Sequence, residues 1–404
     1  MVSKLLKIVI LVPALIILIT IVIINARIHY HPEIRIAGQD TVNTDVLKEL
    51  RGLKSALDSN ADLEMQKIYP EGYLFINALY GLAWCNFIRE HPDSEFLNEG
   101  LAEIQKTWNK INAPLGRAPF DQDLPLPYGA FYTGWSTYLL GKKLTIEHDE
   151  QRDKNELIIF RQRCKLIAAA LEDNVYPASY HGGVWPADVV VCATSLALHD
   201  KLFSPEYGDL IKDWIFNVKS NLDTRGLIPH SINSVTRQPL EGARGSSMGL
   251  MLIFMREIDK AFGEQQFQIY KSTFHDSILG LSAIREYAKD ENYQGDVDSG
   301  PVIFEIGSAA TIVGMQTSAL YEDDETGMKI RNALEAVAFP TETNERKVYL
   351  FGLMPMADAF ITWGHSVQSV SAGNSPYFLA FHLYSALAMA IILILLLLLW
   401  KWNI

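Results

Sequence analysis

The stretch Gly-Asp-Val-Asp-Ser-Gly-Pro at 295–301 sets two carboxylates, Asp296 and Asp298, two residues apart. Neighbouring carboxylates disfavour each other's ionisation, so one is driven toward the protonated form that a general acid needs. Asp298, followed by Ser299 and Pro301, also has the form of a helix start. There an aspartate is an N-cap, worth about 1 kcal/mol over alanine. Both readings stand at this point. A calcium loop fits poorly, because EF-hand spacing fails after the second aspartate. Glu305 lies seven residues beyond Asp298, inside the otherwise apolar run PVIFEIGSAATIV. A carboxylate buried in such a helix calls for a cationic partner or a raised pKa.

A second constellation is YHGGVWPAD, where His181, Trp185 and Asp188 meet at a predicted helix start with Pro186 in its first turn. Asp188 there either does chemistry or complements the helix dipole. Cys192, four residues on, lies one turn deeper on the same face, as a reactive thiol or simply as a small core residue. Further candidates are Tyr69, Glu71 and Tyr73; Asp121, Asp123 and Tyr128; His230 and Asn233; Arg244; and Asp358. Singly, each reads as structural. Together they describe a polar, aromatic-lined pocket suited to sugar rings or prenyl chains.

Such a pocket needs elements to hold it. Two kinds of helical segment alternate along the chain. Amphipathic, charged helices are expected near 43–57, 96–112, 154–172, 205–222, 264–281 and 325–338. In the first, Val46, Leu47, Leu50, Leu53 and Leu57 form an apolar stripe, while Lys48, Glu49, Arg51 and Lys54 fill the wet face. Between them run nearly uncharged segments rich in small residues, such as YLFINALYGLAWCNF and YGAFYTGWSTYLLG. A helix that is apolar all round is buried all round. Anchors at Glu71, Tyr128, Trp185, Arg244, Ser299 and Met356 recur at intervals of about 57 residues, each after a loop rich in Pro, Gly and aromatics. RKVYLFGL and GLIPHSIN are expected as short extended pieces. The architecture these features predict is all-α: an (α/α)6 toroid of six hairpins. An open helical solenoid is the competitor, and it would need polar capping repeats at its ends.

The candidate residues sit in the loops that enter the inner helices. In a toroid those loops share one face, with the N-terminal ends of the helix dipoles turned toward it.

The domain is framed by two apolar runs. IVILVPALIILITIVII at 8–24 and YFLAFHLYSALAMAIILILLLLLW at 377–400 are uncharged and long enough to cross about 30 Å of bilayer core. The first is expected to remain as an anchor, since its exit offers no small-x-small cleavage site. The predicted division is an anchor over 1–27, the toroid over 28–375 and a second transmembrane helix over 376–404. Lys4, Lys7 and Lys401 favour cytoplasmic tails, which puts the domain outside the cytoplasm. A net charge of −12 argues against nucleic acid as a partner. Cys85, Cys164 and Cys192 form neither a disulfide framework nor a metal-type spacing. Nucleotide phosphate loops, HExxH and CxxC are missing, so neither cofactor nor metal is expected.

The toroid pattern over residues 40–368 resembles the six-hairpin superfamily of glycosidases, epimerases and lyases. Within it, YPEGYLFINALYGLAW, LPYGAFYTGWSTYLLGK, YHGGVWPAD and GDVDSGP resemble linalool dehydratase/isomerase-type domains. That resemblance implies a lyase or isomerase with cysteines, Asp, His and Tyr at its centre. The residues themselves imply paired-carboxylate chemistry on a hydroxylated substrate, with Asp298 as acid/base and Asp188 or Glu71 opposite it. A membrane-anchored glycan-binding or scaffold protein on the same ring is the non-catalytic alternative.

Overall fold

The computed structural model describes residues 2–37, 40–291, 295–296, 299–367 and 376–401. An N-terminal helix α1 (Val2–Arg27) is followed by a hairpin of β1 (Ile34–Ala37) and β2 (Asp40–Asn43). Helices then run through α2 (Thr44–Asp58), α3 (Ala61–Ile68), α4 (Gly72–Glu90), α5 (Leu97–Asn112), α6 (Pro114–Arg117), α7 (Gly129–Ile146), α8 (Lys154–Asp173), α9 (Pro186–Leu202) and α10 (Gly208–Lys219). The hairpin β3 (Ser231–Ile232) and β4 (Pro239–Glu241) precedes α11 (Gly245–Ile258) and α12 (Lys260–Phe274). Two more hairpins, β5 (His275–Ile278) with β6 (Leu281–Ile284) and β7 (Val302–Ile303) with β8 (Ile306–Gly307), lead to α13 (Ser308–Leu320) and α14 (Asp324–Val337). Finally β9 (Thr341–Glu342) pairs with β10 (Lys347–Val348), ahead of α15 (Pro355–His365) and α16 (Leu379–Lys401).

The two helix types take the places their composition demands. In α2, Asn43 Oδ1 accepts from the amides of Asp45 and Val46, and the stripe from Val46 to Leu57 is buried. Helices α4, α7, α9, α11, α13 and α15 are buried nearly throughout. Each packs on the next, from α4 to α7, α9, α11, α13 and α15, and α15 packs back on α4. The ring is therefore closed, which excludes the solenoid. Gly134 lets α7 and α9 meet closely, because a Cβ there would lie 3.0 Å from the Asp188 carbonyl oxygen.

All six inner helices run the same way. Their starts share a mouth rim, where the Ala130 amide donates to Ala178 O, the Ile232 amide to Val184 O and the Gly245 amide to Glu286 O. Gly129 belongs to this rim; its φ is +76° and a Cβ would overlap the Ser179 carbonyl. On the opposite base rim, Tyr138 and Lys142 at the end of α7 reach Glu257 at the end of α11, at 2.6 and 3.2 Å.

Aromatic side chains fill the axis. Trp135 packs edge-on against Phe254 at 5.5 Å and Trp363 at 6.1 Å, and Phe75 lies 4.8 Å from Trp135 and 5.1 Å from Phe360. Such pairs contribute about 0.5–1.5 kcal/mol each beyond their burial.

The seam between the first and last hairpins is ionic. Lys347 Nζ, 1 % exposed, lies 2.6 Å from Glu335, 3.5 Å from Asp45 and 3.7 Å from Glu49. Tyr349 Oη lies 2.7 Å from both Glu49 and Glu335, with one proton to share between them, and His365 Nδ1 lies 3.0 Å from Glu49.

The fifth hairpin departs from the expected pattern. The outer helix expected to reach 281 stops at Phe274, because residues 275–278 pair with 281–284 around a turn at Leu279 and Gly280. Ser299 does not open the inner helix, which starts at Ser308. Residues 302–307 form a hairpin instead, and Glu305 sits at its tip with φ 69°, its side chain half exposed and ion-paired with Arg285. Glu305 is thus not a carboxylate buried in a helix. The extended pieces expected near Ser231 and Lys347 are present as β3 and β10, while α3 and α6 were not foreseen.

Helices α1 and α16 lie side by side, and α1 also packs on α14. Ile8–Arg27 and Leu379–Lys401 are each long and apolar enough to cross a membrane.

Candidate functional site

At the mouth rim, the first turn of α11 gathers several perturbed charged groups. Arg244 precedes α11 and forks onto Glu241 at 2.5 and 2.8 Å, with its third nitrogen 2.6 Å from Asp296. Its guanidinium also lies over the Tyr287 ring at 5.3 Å. Burial works to raise the Asp296 pKa, but hydrogen bonds from Arg244 and the Ser299 amide outweigh it and hold the carboxyl below its usual range.

Glu286 shares this neighbourhood with the opposite result. It is fully buried between the starts of α11 and α13, and Ser246 Oγ donates to its Oε1 at 2.6 Å. Oε2 has no hydrogen-bond partner among the described residues, and Gly307 leaves it room, since a Cβ there would come within 2.9 Å. Burial pushes the Glu286 pKa up to about 7, against the pull of Ser246 and Arg244 and with the help of the Asp296 charge. One carboxyl neutral and one ionised around a single arginine is the separation that assigns acid and base roles.

His230 donates to or accepts from Ser247 Oγ at 3.0 Å, and burial, then the Arg244 charge, lowers its pKa to about 4. Its imidazole is neutral at pH 7. Across the ring, burial raises Asp358 to about 7, although the Tyr349 amide donates to its Oδ1 at 2.7 Å.

The other residues singled out in sequence are more scattered. Asp298 lies outside the described residues. Asp188 is buried in the first turn of α9, and Trp185, half-buried just before it, packs edge-on against Tyr180 at 5.5 Å. Glu71 immediately precedes α4. Tyr128, at φ 67°, leads into α7 with its ring 5.2 Å from Tyr132. Tyr73 is buried; burial, then the charge of Asp62 on α3, drives its pKa up to about 12. His181 is 88 % exposed, with Nδ1 3.6 Å from Asp121. Cys192 is fully buried, with Sγ 3.4 Å from Ala130 O, and burial raises its pKa well above the ordinary thiol value. A reactive thiolate there is not supported. Arg244, Asp296 and His230 are brought together; His181, Glu305 and Cys192 are not part of that group.

Glu286 was missed. Its surroundings in sequence, Arg285-Glu286-Tyr287 followed by Lys289 and Asp290, look like a solvated loop. The one available signal was the apolar run LSAI just before it, which carries the chain inward.

Glu49, Glu335 and His365 also bring ligand-type atoms within 4.8 Å of one another. The cation at that seam is the Lys347 ammonium, so the residues are already arranged around a charge of their own.

No family model matches the chain, and no curated protein matches it. Among solved structures, an α-1,6-mannanase of family GH76 from Salegentibacter sp. HEL1_6 is similar, with a TM-score of 0.50 and 11 % identity over 80 % of this chain and 99 % of that one. That structure is of a variant inactivated by exchanging two consecutive aspartates for alanine, in complex with α-1,6-mannotetrose. Nothing in these comparisons supports the linalool dehydratase/isomerase resemblance. What the likeness shows is the fold: this chain is a six-hairpin helical toroid.

Proposed function

We propose that the toroid is a glycoside hydrolase-like enzyme held at a membrane by α1 and α16, with its domain outside the cytoplasm and both tails inside. The observation that carries this reading is the pair Glu286 and Asp296, whose pKa values are pushed apart around Arg244. Glu286 is the proton donor to the leaving oxygen, and Asp296 the ionised partner. The likeness to an α-1,6-mannanase supports a glycan as substrate. In that enzyme the inactivating exchanges fall on adjacent aspartates; here adjacent aspartates occur only at Asp323 and Asp324, on the base rim. The carboxyl pair proposed for this chain is therefore drawn from its own geometry. Glu71, across the ring at the start of α4, and Asp188, on the neighbouring α9, are the candidates for holding sugar hydroxyls, with Trp185 and Tyr128 as stacking surfaces.

The complete burial of Glu286 is the observation that favours a second reading, a membrane-anchored glycan-binding protein without turnover. The two separate cleanly by assay. The full chain is tested on a panel of mannans and other linear glycans beside Glu286→Gln and Asp296→Asn. The enzyme reading expects each exchange to lower kcat by about 100-fold or more while the variant remains folded, by circular dichroism, under the assay conditions. Binding without turnover in the parent chain would favour the second reading.

A further inference from the structure

Turns on the fifth and sixth mouth loops are built from unexpected residues. The tip between β7 and β8 is a two-residue turn, Phe304 and Glu305, with φ of 50° and 69°. Turns of that shape ordinarily take Asn-Gly, since positive φ is strained for side chains with a Cβ. Leu279 holds φ 50° at the tip of β5 and β6, and Phe351 holds φ 59° ahead of α15. Phe339, at φ 42°, places its ring parallel to that of Phe351, 6.3 Å away. Large apolar residues thus occupy positions where glycine or asparagine is the low-strain choice.

Water gives no return for that strain. Phe304 is 81 % exposed, Leu353 75 %, Phe351 68 % and Leu279 62 %. Singly exposed apolar residues are ordinary, but four of them gathered on two neighbouring mouth loops call for a surface that covers them.

The neighbourhood identifies the cover. The Leu279–Gly280 turn lies against the start of α16, where a Cβ on Gly280 would meet the Phe381 amide at 2.6 Å. Leu281 shares a small core with Ile28, Ala333, Ala336, Phe378 and Phe381, the junction of α1, α14 and α16. Phe339 follows α14 directly, and Asn332 Nδ2 on that helix donates to Ile28 O at 2.8 Å. The Leu279 tip and Phe339 therefore lie beside the place where both candidate spans leave the domain; Phe351 stacks on Phe339, and the hairpin bearing Phe304 is bridged through Ile306 to Arg285, which follows β6.

We infer that the mouth rim is a membrane-contact surface, whose tips at Leu279, Phe304, Phe351 and Leu353 enter the interfacial layer of the bilayer crossed by α1 and α16. Aromatic and aliphatic side chains partition to that depth, and the charges nearest these tips are paired, Glu305 and Asp276 both with Arg285. The opening then faces lipid headgroups. Resting on the glycosidase reading, the substrate class that follows is a glycan carried by a lipid in the same membrane.

The test uses the full chain in phosphatidylcholine vesicles. The three native cysteines are buried, so Phe304→Cys and Leu353→Cys each accept a fluorescent label, with Asp149→Cys on the base rim as control. Lipids bearing a shallow nitroxide should quench the labels at 304 and 353 and spare the label at 149. Aqueous iodide should give the reverse order, with about fivefold or greater contrast. Equal iodide quenching at all three positions would overturn the surface. For the substrate class, Phe304→Asp with Phe351→Asp should cut turnover of a lipid-borne glycan about tenfold and leave turnover of the same glycan free in solution unchanged. Equal effects on both would overturn the lipid-borne class. If the parent chain turns over neither, the glycosidase reading falls with that class, while the quenching result still decides the surface.

Discussion

Ser246 Oγ donates to Glu286 Oε1 at 2.6 Å, while the other oxygen of the same carboxyl is enclosed with no hydrogen-bond partner among the described residues. A carboxyl so placed prefers its proton. Its folded pKa of about 7 stands above the ordinary 4.5, so the folded state binds the proton more tightly than the unfolded one. That stabilisation is complete below about pH 4.5 and is lost as pH rises to about 7. Glu286→Gln removes this titration. Urea denaturation at several pH values should show the parent losing roughly 2–3 kcal/mol more than the variant between pH 4.5 and 7.5. Parallel profiles would show that Glu286 is not held neutral.

If Glu286 is the acid, turnover requires its protonated form. The rate should fall on the alkaline side, with a midpoint near its pKa of about 7. Arg244 lowers that pKa by its charge, so Arg244→Met should move the midpoint upward and weaken the fold. Solvent at Glu241 and Asp296 screens the loss, and about 1–2 kcal/mol is expected by thermal unfolding. A midpoint unmoved in Arg244→Met would detach the arginine from the acid.

Lys347 places its ammonium inside a cluster of Asp45, Glu49 and Glu335. Removing it leaves buried carboxylates uncompensated, so Lys347→Met should cost about 3–5 kcal/mol. Lys67, 68 % exposed beside Glu64, is the matched surface case, and Lys67→Met should cost under about 1 kcal/mol. The same cluster governs acid stability. Burial tends to raise Glu49, yet the charges of His365 and Lys347 and the hydrogen bonds of His365 and Tyr349 bring it down to about 2. Its contribution is present above about pH 4.5 and vanishes as pH falls through about 2.

Cys85, Cys164 and Cys192 are buried and unbridged, and burial lifts Cys85 to about 12 and the other two further. The native chain should resist an alkylating reagent at pH 8 and take up three equivalents once unfolded. Rapid labelling of Cys192 in the native state, with loss of activity, would revive thiol chemistry of the dehydratase kind.

The ring was legible because wet and dry helices differ in composition over a dozen or more residues. The α2 stripe from Val46 to Leu57 and the uncharged α4 each report their burial directly. Legibility failed where apolar runs were short. VIFEIG reads equally as helix or hairpin, and the structure folds it as β7 and β8, which moves the start of α13 from Ser299 to Ser308. The same segment hid Glu286, whose burial comes from a strand returning under α11 rather than from periodicity. Arg244, Asp296 and His230 were accessible as polar residues in mouth loops, but their grouping depends on which loops are neighbours around the ring.

Glu49 meets Tyr349 and His365 across 300 and 316 residues of chain. The clasp of the toroid therefore lies at the two extremes of the domain, and nothing local can form it in advance. During synthesis the earlier hairpins must wait with their dry flanks uncovered until the last one arrives, a long loop closure that slows folding and invites misassembly. In the proposed topology α1 is already inserted by then, so the waiting chain is tethered at both its first residues and its ribosome, and truncation before residue 365 would leave an unfinished arc rather than a smaller domain.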